Sequence, residues 1–298
     1  MTTVTTRQTT RAPETPPATD GRRRIVASPG AWLVWGAVAL FMVFLLGIVG
    51  SVVVNSFGTR WFGTWLPEGW TTQWYTQAWT EFDLFQVVIV TLEVAAAVVL
   101  LSVLIGVPAS YVLARRNFPG KRLVYLAFLL PIMMPPITYG IPLATVLYKF
   151  NLAGNITGVI LANLVPCVPF VILTMTPFIE QIDPTIEKAA RMSGARTLSV
   201  FTRILAPLLV PGILAASILV LVRTVGMFEL TFLTAGPDSN TLVVALFNSM
   251  NAAGIRAQQS VDSMAVIYTG VMMVLLVIAL RFVNPTQLVA QVKEEPQP

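Results

Sequence analysis

Chemistry needs reactive side chains at workable spacing, and this chain of 298 residues offers few. It has no histidine, which excludes imidazole bases, imidazole metal ligands and the His-Glu-x-x-His protease helix. The single cysteine, Cys167, lies in an apolar run without a partner, so disulfides and cysteine metal sites are excluded too. None of Lys121, Lys149, Lys188 and Lys293 stands in a Gly-x-x-x-x-Gly-Lys-Ser/Thr setting, so the chain encodes no phosphate-binding P-loop. Paired membrane aspartates and a Gly-x-Gly-Asp motif are missing as well. The chain reads as non-enzymatic, with no metal site and no cofactor of its own.

What remains is charge in unusual places. Glu93 and Arg223 fall inside apolar runs, and Glu229, in "GMFELTFLTAGPDSNT", falls near the end of one. A charge in hydrocarbon is costly unless it is paired or faces water. At about 1.5 Å per helical residue, Glu93 lies about 12 Å and Arg223 about 15 Å from the same membrane boundary. That match in depth predicts an ion pair between their two runs. Glu229 reads either as an interfacial carboxylate or as a cavity group that attracts a cationic solute. Tyr139 and Asn163 are polar side chains in proline-interrupted runs and join the candidate pathway. The segment "IEKAARMSGARTLSVFTRILAPLLVPG", Ile186 to Gly212, sets Glu187, Lys188, Arg191, Arg196 and Arg203 among small and apolar residues.

The elements that must carry these groups are membrane helices. The composition is 55% hydrophobic and 11% charged, which belongs to the polytopic membrane class. The net charge of +5 does not indicate nucleic acid, because the bases lie in short loops between apolar segments, where topology uses them. Six runs, at about 31–55, 85–114, 122–147, 157–179, 208–233 and 261–283, are long enough to cross a core of roughly 30 Å. The first is too long for a signal-peptide core of about 7 to 15 residues, so it reads as an uncleaved span. Residues 1–29, rich in Thr, Pro and Arg and ending at Arg22, Arg23 and Arg24, read as a disordered tail.

With the N-terminus inside, fifteen of the nineteen Lys and Arg residues fall in cytoplasmic pieces and three, Arg60, Lys149 and Arg256, fall outside. The positive-inside rule therefore puts both termini and residues 180–207 in the cytoplasm. The fold class is all-α: a polytopic helical membrane protein with six transmembrane helices and a cytoplasmic hairpin between the fourth and fifth. Pro131, Pro135, Pro136, Gly140, Pro142, Pro166 and Pro169 crowd the third and fourth spans, as kinks in packed helices or as the lining of a cavity. In the first outer loop, Trp61/Trp65 and Trp70/Trp74 are spaced by four, which on a helix puts each pair on one face. That loop suits the lipid headgroup level or a partner docking from outside.

Within 180–207, Asp183 followed by Pro184 predicts a helix start. Gly194 suits a left-handed stop. A second helix from Thr197 sets Leu198, Phe201 and Leu205 on one stripe until Pro207 and Pro211 end it. Such a basic hairpin fits a groove on a soluble partner and anionic lipid equally well.

The segment resembles the coupling loop of the permease subunits of binding-protein-dependent ABC importers. That family's pattern is Glu-Ala-Ala, three residues, Gly, nine residues, Ile, one residue, Leu-Pro. Ala189, Ala190, Gly194, Ile204 and Pro207 fall on it, whereas Lys188 stands at the Glu position, just after Glu187, and Ala206 replaces Leu. The resemblance covers roughly residues 61–284. "LPEGWTTQWY" and "LLPIMMPPITYGIPL" look most like the polyamine, iron and phosphonate branch, with the maltose-type sugar branch next.

The resemblance implies a six-helix permease domain over 30–284, with its coupling loop at 180–207 and a cytoplasmic tail at 285–298. It implies a bacterial inner-membrane subunit that forms half of the solute pathway beside a second permease. An ATPase dimer binding ATP and Mg2+ would sit beneath, and an extracytoplasmic binding protein would deliver solute. Glu187, Lys188, Ala189, Ala190, Gly194, Ile204 and Pro207 would then couple to the ATPase. A polyamine is the first expectation for the solute and a sugar or polyol the alternative. A self-contained secondary carrier is the reading from a different class, though six spans are few for two inverted halves.

Overall fold

The computed structural model describes residues 29–61, 64–251 and 257–281. Of the expected tails at 1–29 and 285–298, all but Pro29, which opens the first helix, lie outside the described residues, as does Arg256. The described chain is helical, its one β contact being an isolated bridge between Gly58 and Trp70.

The first helix, α1 (Pro29–Phe57), belongs up to Val49 to a unit of its own. It is apolar all round, and Trp32, Trp35, Leu40 and Phe44 are exposed, as expected of a helix solvated by lipid. From Gly50 the chain joins the second unit. There Asn55 donates to the Asp262 carboxylate, and the Ser56 and Tyr75 hydroxyls share a hydrogen bond of 2.7 Å.

The described residues on either side of 62–63 are not helical before α2 (Gln73–Glu81), so the Trp61/Trp65 spacing does not sit on a helix; the Thr59 amide donates to the Gly69 carbonyl. Trp74 Nε1 donates to the Gly58 carbonyl at 2.7 Å, a bond that ties the strap closed.

The second unit is built around α3 (Leu84–Arg115), α6 (Ile156–Glu180) and α9 (Ala206–Val225). Val90, Val94, Val98 and Val107 of α3 pack with Val159, Cys167, Val171 and Met175 of α6 and Ala216 and Val220 of α9. The contact between α3 and α6 is the most extensive, and Gly106 makes it close: a Cβ there would stand 2.7 Å from Val171 Cγ1.

Among the described residues five helices are long and apolar enough to cross a membrane, or six if α4 (Lys121–Met133) and α5 (Pro136–Lys149) count as one span. These two are bent by 100°, so the third predicted span is broken. The cause is the tandem Pro135–Pro136. Each residue before a proline is driven to extended backbone, and both Met134 (ψ 143°) and Pro135 (ψ 132°) comply. Pro166 and Pro169 sit inside an unbroken α6, because separated prolines each remove one rung and leave the ladder on either side intact.

Two further boundaries differ from the sequence pattern. The fifth span was predicted to run to 233, but α9 ends at Val225. Glu229 instead opens a separate short helix, α10 (Glu229–Thr234). Residues assigned to an outer loop form α11 (Leu242–Asn251), held to α3 by the Leu242 amide donating to Thr91 Oγ1 at 2.9 Å. Ala78, Leu84, Val87, Leu242, Ala245 and Met264 make a second core there, against α12 (Gln258–Arg281).

Candidate functional site

Two places bring the candidate residues together, and the hairpin is the first. Asp183 caps α7 (Pro184–Met192) by accepting from the Thr185 amide at 2.8 Å, a bond that holds its exposed carboxyl below the usual carboxylate range. Gly194 then adopts φ +84°. Its amide donates to the Arg191 carbonyl at 3.0 Å and the Ala195 amide to the Ala190 carbonyl at 3.1 Å, the paired bonds of a Schellman stop. Asp183 and Gly194 thus behave as the sequence predicts.

The second helix does not stop at its prolines. α8 (Thr197–Val200) runs through a π-turn (Phe201–Leu205) straight into α9. In the π-turn hydrogen bonds reach back five residues, which accommodates the missing amide of Pro207 and rotates the register. Val200 and Leu205, five apart, are therefore the buried pair, while Leu198 of the predicted stripe is exposed.

Glu187 turns inward and is 6% exposed. Its Oε1 accepts from Arg115 Nε at 2.7 Å and its Oε2 from the Tyr111 hydroxyl at 2.8 Å. Arg115 also donates to the Ile182 carbonyl at 2.6 Å, and Arg191 lies 4.0 Å from Glu187 and 3.3 Å from the Tyr111 oxygen. Tyr111 in turn packs edge-on against Phe201. One carboxylate thereby joins the end of α3, the α6–α7 link and α7.

Ala190, Ala195 and Ile204 pack on the main core, whereas Lys188, Ala189, Gly194 and Pro207 face out. Tyr111 and Arg115 were not among the sequence candidates. Arg115 reads there only as a topological charge.

The second place is polar and lies among α5, α6, α9 and α10. Asn163 is fully buried; its Nδ2 donates to the Val159 carbonyl at 2.9 Å and to Thr231 Oγ1 at 3.3 Å, and its Oδ1 has no partner among the described residues. Tyr139 Oη and Arg223 Nε are likewise buried with no partner among the described residues, and Arg223 reaches the Phe170 ring at 5.9 Å. Tyr139 lies within electrostatic reach of Arg223, Cys167 and Glu229. Beside Glu229, Phe228, Phe232 and Phe247 form an aromatic cluster with ring centroids 4.7 to 5.4 Å apart. Arg223 and Glu229 thus both lie near Tyr139, and Asn163 is tied to α10 through Thr231.

Glu93 does not join them, and the predicted Glu93–Arg223 pair is not formed. The buried stripe of α3 runs through Val87, Val90, Thr91, Val94 and Val98, and Glu93 lies off it and is exposed. Depth was matched, but direction was not. At the end of the unit away from the hairpin, Asp83, Gln86, Asp238, Asn240 and Asn248 line a cavity of about 220 Å3 with no counterpart among the sequence candidates.

The chain matches the family described as "Binding-protein-dependent transport system inner membrane component" over residues 106–287, which includes the hairpin and most of the polar cluster. It is 33% identical over 168 residues to the trehalose transport system permease protein SugB of Mycobacterium tuberculosis, covering 56% of this chain and 61% of that relative. It is 30% identical over 186 residues to the molybdenum transport system permease protein ModB of Escherichia coli, covering 57% of this chain and 81% of that one. Its fold resembles a bacterial ABC transporter involved in import of the acidic polysaccharide alginate, with a TM-score of 0.68 at 19% identity over 85% of this chain and 96% of that one.

Proposed function

Because the chain belongs to the family of binding-protein-dependent transport system inner membrane components, we propose that it is a permease subunit of an ATP-driven importer for a carbohydrate. The observation that carries the permease reading is the capped hairpin at residues 183–205, packed on the same core as α3, α6 and α9. Facing the cytosol, it docks on an ATPase subunit that binds ATP and Mg2+. A second permease completes the pathway, and an extracytoplasmic binding protein delivers solute. The membrane is the bacterial inner membrane. ATP and the binding protein then bias a two-state pathway.

The polyamine expectation finds no support among the relatives named above, whereas the sugar alternative fits the trehalose permease and the alginate fold match. Physics points the same way. A polyamine needs uncompensated negative charge, but Arg223 as well as Glu229 lies near Tyr139, and its charge opposes a cation. A phenol, a guanidinium and a carboxylate beside aromatic rings suit hydroxyls and the apolar faces of a sugar. Glu93, pointing away from this chain's core within a span, fits a wet cavity shared with the second permease.

Reconstituted with its ATPase and binding protein, the transporter is expected to accumulate a labelled disaccharide or oligosaccharide and not spermidine. Arg223→Gln should remove about 1.5 to 3 kcal/mol of solute contact, a loss of roughly ten- to hundredfold in uptake at limiting solute. Accumulation of spermidine or molybdate would overturn the carbohydrate assignment and leave the permease standing. Uptake by the purified chain without any ATPase would overturn the permease assignment itself.

Gly194→Lys gives a second test. Nothing lies within 4 Å of a Cβ built at Gly194, so internal packing survives, and the left-handed backbone costs about 1 to 2 kcal/mol. Melting of the purified permease should therefore shift by only a few degrees. ATP-driven uptake should fall to background, because a long cation at the turn displaces the hairpin from its partner. Normal uptake would instead place the hairpin on lipid.

A further inference from the structure

The charge that the hairpin presents is opposite to the charge its motif suggests. Of the acids at 180–207, Glu187 is buried on Arg115 and Tyr111, the Asp183 carboxylate is engaged as a helix cap, and Glu180 is exposed at the end of α6, away from the turn at Gly194. What faces outward is Lys188, Arg196 and Arg203, with Arg191 partly neutralised by Glu187. Two large apolar side chains bracket the turn among these cations: Met192, 84% exposed, and Leu198, 73% exposed.

This face is a knob rather than a stripe. A helix lying on a bilayer buries a continuous apolar side along its length. In α7 the inward side, Glu187 and Ala190, is already turned into the protein, and Met192 is the one large apolar residue on the opposite side besides the marginal Ile186. A single methionine inserts a nine-residue helix poorly into lipid. It fills a small pocket well.

We infer that the partner cleft is acid-rimmed and apolar-floored, that Lys188 meets a carboxylate on its rim and that Met192 fills its floor. This rests on the permease reading above, with the ATPase subunit as the occupant, and it goes further by fixing the sign of the contact. The exposed Lys188 is the attracting group, and Glu187 acts within its own chain by holding α7 against α3.

The test uses the intact transporter and the ATPase subunit that co-purifies with it. Lys188→Glu should weaken association of that ATPase at least tenfold, Lys188→Gln should do so less, and both should flatten the dependence of binding on KCl concentration. Cys167 is the chain's one cysteine and is buried, so Met192→Cys supplies a single reachable thiol for crosslinking. That thiol is expected to capture the ATPase. If Lys188→Glu binds the ATPase as tightly as the parent with an unchanged salt dependence, the charge assignment is overturned and the permease reading stands. If the Met192→Cys crosslinker captures only phosphatidylglycerol in nanodiscs and no ATPase, both are overturned. An unaltered melting temperature of each variant permease shows that the fold is not what changed.

Discussion

Glu187→Ala is expected to destabilise the permease by about 3 kcal/mol or more and to abolish ATP-driven uptake. The magnitude follows from what is left behind. The Arg115 side chain is 12% exposed, and its Nε, 2.7 Å from Glu187, would lose the carboxylate it touches. The Tyr111 hydroxyl would lose its acceptor at the same time. Removing one partner of a buried pair costs far more than removing both, because the remaining charge is stranded. Arg115→Met combined with Glu187→Ala should therefore recover much of the lost stability. Glu187→Gln keeps an acceptor and should fall between. Thermal melting of the purified permease, without its ATPase, is the decisive measurement. A residue that touched only the ATPase would leave that melting curve unchanged when replaced, whereas the inward Glu187 must move it.

The same substitution separates two senses of coupling. Uptake should not return fully in the doubly substituted chain even where the fold does. The ion pair fastens α7 to α3, and apolar replacements restore packing without restoring a directional link between the hairpin and the spans. Stability and uptake are expected to part company in that variant. Their joint recovery would show that any filler at this position suffices.

Much of this was legible beforehand, and the residues show why. Asp183, Pro184 and Gly194 announced themselves because helix caps act over a few neighbours in sequence. The apolar runs announced the spans because hydrocarbon thickness sets their length. What stayed hidden depends on direction or on accumulated register. Glu93 and Arg223 share a depth but not a face, and depth is all that counting residues supplies. Pro207 appeared to end a helix that a π-turn carries past it. α11 is too short to register as a span, yet its first amide is held by Thr91, 151 positions away. Glu187 looked like part of a surface motif because its partners, Tyr111 and Arg115, lie more than seventy residues back.

Gly106→Leu is expected to prevent accumulation of the folded permease, and Gly106→Ala to cost about 1 to 3 kcal/mol. At the contact of α3 and α6 a Cβ on residue 106 meets Val171 Cγ1 at 2.7 Å, Val171 Cβ at 2.8 Å and the Val168 carbonyl at 3.4 Å. The first contact can yield only if Val171 moves, yet Val171 is fully buried in the main core, while the carbonyl belongs to the α6 backbone. A methyl forces a small separation of the helices. A leucine wedges them apart. The consequence for transport exceeds the consequence for stability, because these two helices carry both sites: α3 ends in Tyr111 and Arg115 beneath the hairpin, and α6 holds Asn163 and Cys167 in the polar cluster. Val171→Ala removes the two γ-carbons, including the nearest atom, but leaves its Cβ, so Gly106→Ala with Val171→Ala should partly restore the melting temperature. If that pair recovers uptake in step with stability, close approach of α3 and α6 is what links hairpin to pathway. If stability returns and uptake does not, the link runs through α9 and the π-turn instead.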